Sequence, residues 1–302
     1  MLSRHFSPIL KGGLKFDAGM ILMEFDALRE PERTRFPDIG EYLRGLFEFN
    51  EVLPKMLWKG EIHPDLYIAN QLDAVAGMDF PAVDFIPNEI ADKWKQNGPD
   101  DYNLNQASRI RHGDQFHDTF IEPMCAKILG IPTSEVVARY HRCAWLPLYW
   151  PQTLRNRESL PTRFWYPRKG YAGILAEHFG TGEAKNHQPV VSRVEIKLTF
   201  VVAKPTREFQ TLFVVDPSPI YRITNQDACA GLNPKYQRFV IESREYCQDV
   251  TDEAQKLNLF SSVQYSSSLS AWIPTPTLGN VRLGWKPAPH LNDQLWSIMC
   301  SQ

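Results

Sequence analysis

The residues best placed to do chemistry stand where an aromatic run gives way to a glycine loop. Phe164-Trp-Tyr-Pro-Arg-Lys-Gly-Tyr171 reads as a strand end, a Pro/Gly loop and then a helix with Tyr171, Ile174, Leu175 and Phe179 as its apolar positions. A loop that opens a helix presents unpaired N–H groups and the positive end of the helix dipole. Arg168 and Lys169 add charge there, a combination that suits a phosphate or a carboxylate. The same residues also describe a plain strand–loop–helix junction with solvated cations. A second candidate is Asp216-Pro-Ser-Pro-Ile-Tyr-Arg-Ile-Thr-Asn225, in which two prolines lead into Tyr221 and Arg222. On a strand these two alternate faces. The Arg222 fork either binds a phosphate through two parallel hydrogen bonds or closes a salt bridge on a strand edge.

Other groupings read as structural. His112-Gly-Asp-Gln-Phe-His117-Asp118 places its histidines five apart, which on a helix does not share a face. Asp114 with His117 or Asp118 would share one, but spacing supplies no third ligand, so no metal is expected. His141 and Cys143 point apart on a helix. Trp145-Leu-Pro-Leu-Tyr-Trp-Pro151 is either a pocket wall or core packing, and aromatics more commonly fill cores.

The elements that must carry these residues fall into three blocks. Early in the chain Gly12-Gly13 and Asp17-Ala-Gly19 mark turns around a short extended Leu14 to Phe16. From Pro37 to about Trp150 the period is helical: Asp38 and Glu41 form a capping-box pattern, and Ile39, Tyr42, Leu43, Leu46 and Phe47 share a face. Leu66, Ala69, Leu72 and Ala76 repeat that spacing. Pro81 to Asp101 reads as loop. Phe116, Phe120 and Ile121 restore helical period, Pro123 starts a new turn, Gly130 ends it, and Thr133 caps a helix over Ser134 to Cys143. Beyond Phe164 the period becomes two, at Val194, Ile196, Leu198 and Phe200, at Thr211 to Val215 and at Arg238 to Ile241. This gives an α/β reading, with α+β as the alternative, divided as 1–35, a helical block over 36–163 and a strand-rich block over 164–302.

Composition bounds the rest. The 302 residues carry 33 basic and 35 acidic side chains, a net charge of −2 that does not gather nucleic acid. Five cysteines, an odd number without a CxxC pair, fit a reducing compartment and no structural zinc. The N-terminus lacks a signal-peptide pattern, and Met20 to Met23 is far short of the ~20 residues that span a bilayer. A cytoplasmic protein is expected.

Several motifs, in order, resemble one family. Gly12-Gly13 followed by Phe16-Asp-Ala-Gly19 is similar to the turn after the ribose-binding strand of flavin-dependent amine oxidases and protoporphyrinogen-oxidase-like proteins. Phe116 to Pro132 resembles the helical substrate domain of that superfamily, and Phe164 to Gly170 its F-x-Y-P-x-x-G junction. Asp216 to Thr224 with Ile241-Glu242 resembles the Tyr-Arg strand pair of the UDP-galactopyranose-mutase-like branch. Leu283-Gly-Trp-Lys286 with Asn292-Asp293-Gln294 resembles its C-terminal flavin turn. The resemblance implies an FAD-dependent oxidoreductase or mutase-like protein with a two-lobed fold. FAD would lie against Gly13, Gly19, Gly284, Trp285 and Asp293, and a small-molecule substrate, such as a nucleotide-sugar or other diphosphate, against Tyr166, Arg168, Tyr221 and Arg222.

Two parts of the family pattern do not occur in these residues. There is no strand–GxGxxG–helix turn to approach the pyrophosphate, and Met1 to His5 holds no carboxylate for the ribose. The expectation is therefore a form truncated in its nucleotide-binding part. The alternative is a non-catalytic binding or scaffold relative that has lost FAD, or one completed by a partner chain or a second copy.

Overall fold

The computed structural model describes residues 2–24, 39–65, 75–84, 102–144, 146, 148–156, 163–182, 190–244, 249–286, 294–295 and 297–298. The capping residue Asp38, most of the Leu66 to Ala76 repeat, Trp145 and Asp293 lie outside them, as does the Cys143 side chain.

A mixed sheet dominates, so the chain is α/β. Its strand order is β13-β9-β12-β11-β10-β5-β6, where β5 is Pro54–Trp58, β6 Glu61–His63, β9 Arg193–Pro205, β10 Thr211–Val214, β11 Ile220–Asn225, β12 Gln237–Ser243 and β13 Phe260–Pro274. Every neighbouring pair is antiparallel except β10 and β5, which run parallel. Successive residues of these strands divide between the two faces, and the alternating Ile196, Leu198 and Phe200 read from the sequence pack together on one of them. Phe209, Leu212, Ile223, Phe239 and Ile241 pack on one side with Val250 and Ala254 of the helix Val250–Lys256. Phe213 and Tyr221 pack on the other, with Phe116, Phe120 and Met124 of the helical block.

That block departs from the sequence reading in two places. Residues 49–63 form three strands instead of helix: β4 (Phe49–Val52), then β5 and β6. Their apolar residues are too few to set a period unaided, and pairing with β10 and with the Phe164–Pro167 strand, β7, decides their conformation. Thr133 does not cap a helix over Ser134 to Cys143. Its amide donates to Glu122 Oε2 at 3.1 Å, its hydroxyl is held by the same carboxylate, and a short 3₁₀ turn follows. Val136 and Val137 then bridge to Thr277 and Asn103, which takes them out of any helix.

Elsewhere local chemistry and structure agree. The helix Ile39–Leu46 forms, and Glu122–Leu129 ends with Gly130 at φ 70°. A Cβ at Gly130 would also run into the Arg244 side chain. Gly12 and Gly13 turn the hairpin between β2 (Ile9–Lys11) and β3 (Leu14–Phe16).

The two histidines of the 112–118 stretch are core residues. His112 is buried, with Nδ1 3.0 Å from Ser108 Oγ and Nε2 accepting the Tyr149 amide at 2.8 Å. Burial drives its pKa down to about 3, so the ring is neutral. His117 lies beside Thr133 and Glu122. Among the described residues no three His, Cys, Asp or Glu side chains are grouped to hold a metal, and no described helix is long and apolar enough to cross a membrane.

Candidate functional site

Three polar clusters hold the residues singled out above. The first closes the Phe164 to Phe179 junction. Its strand is β7, and its helix, Ile174–Phe179, begins after Gly173. The N–H groups that such a junction offers to an anion are taken by a carboxylate of the chain itself. Asp17 Oδ2 accepts from the Ala172 amide at 2.9 Å, Oδ1 from the Gly173 amide at 3.1 Å, and the Tyr166 hydroxyl donates to Oδ2. Asp17 and Tyr166 are both buried. Burial raises the Asp17 pKa against the pull of these donors, and it raises that of Tyr166. Gln226 accepts the Asp17 amide at 3.0 Å and donates to Gly170 O at 2.7 Å. Arg238 reaches Gly170 O at 2.6 Å, Lys15 O at 2.7 Å and Asp227. The whole forms a clasp between the N-terminal hairpin, the junction and β12. Arg168 stays on the surface of the loop.

The second cluster centres on Glu242 of β12. Arg222 Nε donates to Oε1 at 2.6 Å and a guanidinium nitrogen to Oε2, a bidentate pair in which Glu242 is buried and Arg222 largely so. The Tyr221 hydroxyl lies 3.4 Å from Oε2, and the Met20 amide donates to Oε1 at 3.1 Å. Alternation predicts Tyr221 and Arg222 on opposite faces. A bulge between Ile220 and Arg222 slips the register and lets both reach one carboxylate. Gly19 belongs here too: at φ 93°, its position leaves no room for a Cβ, which would meet Glu242 Oε1 at 2.8 Å. Sequence reasoning named the Arg222 side of this pair and missed Glu242 as its centre. A carboxylate inside a buried apolar strand was the available signal.

The third cluster is a cavity of about 370 Å³ lined by Lys127, Pro217, Ser218, Pro219 and Arg244. The helix Glu122–Leu129 supplies Lys127, the proline turn after β10 supplies residues 217–219, and the end of β12 supplies Arg244. Lys127 Nζ donates to Val214 O at 2.8 Å and Asp216 O at 2.5 Å, which leaves one of its three protons for another acceptor. Burial lowers its pKa to about 8. Asp216 shapes the turn by accepting the Lys59 and Gly60 amides. Pro217, Ser218 and Pro219 stood in the Asp216 to Asn225 motif and Lys127 in the Phe116 to Pro132 stretch, whereas Arg244 stood in no motif read from the sequence.

The residues expected against FAD are not gathered into one site. Gly13 turns an exposed hairpin at φ 77° with open space where a Cβ would stand, and Gly284 at φ 86° is equally open. Trp285 is buried with Val137 and Val281, its ring 5.7 Å from that of Tyr140. Gly19 faces Glu242, and Asp293 lies outside the described residues. No described helix begins at any of these glycines, so none offers the row of helix N–H groups that grips a pyrophosphate. The described residues do not form a cradle for FAD.

The fold, a mixed sheet with a helical block on one face, nonetheless has structural neighbours among solved proteins. Reduced UDP-galactopyranose mutase shares it, with a TM-score of 0.61 at 13% identity over 96% of this chain and 80% of that one. An oxidoreductase from Methanosarcina mazei superposes with a TM-score of 0.45 at 11% identity, over 87% of this chain and 79% of its own. A redesigned putrescine oxidase gives 0.43 at 10% identity, over 97% and 90%. The fold assignment rests on the mutase. No family model matches the sequence, and no curated protein matches it.

Proposed function

We propose that this chain is the substrate-binding side of a flavin-fold oxidoreductase or mutase-like protein, and that its ligand is an anionic small molecule of the nucleotide-sugar or diphosphate class. The observation that carries this reading is the cavity of about 370 Å³ with Lys127, Arg244 and Ser218 among its lining residues. Pockets of this size hold small molecules, and paired cations with a hydroxyl orient phosphate oxygens. The fold it shares with UDP-galactopyranose mutase supports the ligand class. Lys127 has one proton left to donate, and its backbone acceptors fix where that proton points. Arg168, Arg222 and Tyr221 are set aside as direct ligands on this reading, because the last two are committed to Glu242 and the first is on the outer loop.

A second reading, a binding relative that carries out no flavin chemistry, is favoured by the Asp17 clasp, which fills the anion-binding junction with the chain's own carboxylate.

Calorimetry with UDP and with inorganic pyrophosphate tests the ligand class. Both are expected to bind at one site and to compete. Lys127 is cationic below its pKa of about 8 and loses its charge above it, so affinity should be highest below pH 8 and fall as pH rises through that value. A bound anion favours the charged form and moves that fall upward. Lys127→Met should weaken binding at least tenfold, roughly the worth of one charge-assisted hydrogen bond. Absence of saturable binding of either probe at concentrations on the order of 1 mM would reject the proposal.

A further inference from the structure

The main sheet ends on its longest described strand. β13 spans fifteen residues, Phe260–Pro274, and pairs only with β9, so among the described residues no strand meets its outer edge. Such an edge presents alternate N–H and C=O groups to whatever approaches, and proteins ordinarily blunt it with charges, prolines, bulges or shortness. The opposite edge follows that rule: β6 has three residues, one of them Glu61. β13 keeps such devices only at its ends, a bulge between Ser261 and Tyr265 and the terminal Pro274. Between them, Tyr265 to Ile273 run in unbroken register against β9. In a chain that is 23% charged, these fifteen residues carry no charge at all.

The exposed positions along this stretch are small and polar, Ser266, Ser268 and Ser270, with two apolar side chains among them. Trp272 is 61% exposed and Leu269 39%. Large exposed aromatics on an interface-like surface are the usual anchors of association.

We propose that β13 is where two copies of this chain associate, the strands pairing antiparallel about a two-fold axis so that the two sheets become continuous. A two-fold axis beside an edge strand brings that strand against its own copy in the antiparallel sense. An uncharged strand meets no like-charge repulsion from itself, whereas a partner selected by charge finds no complement on it. Trp272 and Leu269 of each copy supply apolar surface beside the new backbone ladder.

Analytical ultracentrifugation of the full chain over a wide concentration range tests this. A monomer–dimer equilibrium is expected. The variant Ser268→Lys/Ser270→Lys places like charges along the junction at positions already exposed, and it should weaken dimerisation at least tenfold with an unchanged circular dichroism spectrum. In the wild-type chain, hydrogen exchange at the amides of residues 265–273 should slow as concentration rises. A monomer at all concentrations overturns the proposal. So does a dimer that the double variant leaves intact, or one whose formation leaves those amides unprotected; the exchange measurement decides the matter if the variant does not fold.

Discussion

Replacing Glu242 by alanine is expected to cost the fold roughly 3–5 kcal/mol, the range for removing one partner of a buried ion pair. The side chain holds the Arg222 guanidinium in two places and accepts the Met20 amide at 3.1 Å. Alanine leaves the cation with its desolvation unpaid and its donors without that acceptor. The double variant Arg222→Met/Glu242→Leu removes both charges and should be distinctly more stable than Glu242→Ala, although the Met20 amide still loses its acceptor. Urea unfolding followed by circular dichroism measures both. A loss below about 1 kcal/mol in Glu242→Ala would mean that the pair is solvated and the cluster does not support the sheet.

The second large effect belongs to Asp17. Asp17→Ala strands three donors at once, the Tyr166 hydroxyl and the Ala172 and Gly173 amides, at about 1 kcal/mol or more each, for a total of roughly 3–5 kcal/mol. Asp17→Asn keeps one acceptor oxygen and should cost only part of this. The pH dependence carries a sign of its own. Burial raises the Asp17 pKa above its ordinary 3.8, so the folded state binds this proton more readily than the unfolded chain does. As pH falls from the raised value towards 3.8, this group therefore adds stability, and Asp17→Asn should lack that contribution. Equal stability of wild type and Asp17→Ala would show that the hairpin does not depend on the clasp.

The strands were partly legible: β9 shows a period of two from Val194 to Phe200, and a short alternating run at Arg238 to Ile241 falls within β12. The Glu122–Leu129 helix was equally legible from Pro123 and Gly130. What stayed hidden was set by distant pairing. Residues 49–63 take strand conformation from β7 and β10, more than a hundred positions away. The site was legible only in fragments for the same reason. Tyr166, Tyr221 and Arg222 were identifiable as polar groups in apolar company, but their partners Asp17 and Glu242 lie 149 and 20 positions along the chain. The bulge at Tyr221 leaves no mark in composition, so alternation gave the wrong faces. Lys127 stood in a helical pattern as an ordinary surface lysine until the turn at 217–219 closed over it.

On our proposal, a fold shared with UDP-galactopyranose mutase is built here from described residues that do not grip a dinucleotide. Absorbance of the purified 302-residue chain, recorded before and after incubation with excess FAD and removal of the unbound cofactor, tests it most directly. A colourless protein that retains no band near the flavin maximum at about 450 nm in either state is expected. A yellow protein as isolated, or one that keeps FAD in a one-to-one ratio after the wash, would contradict it.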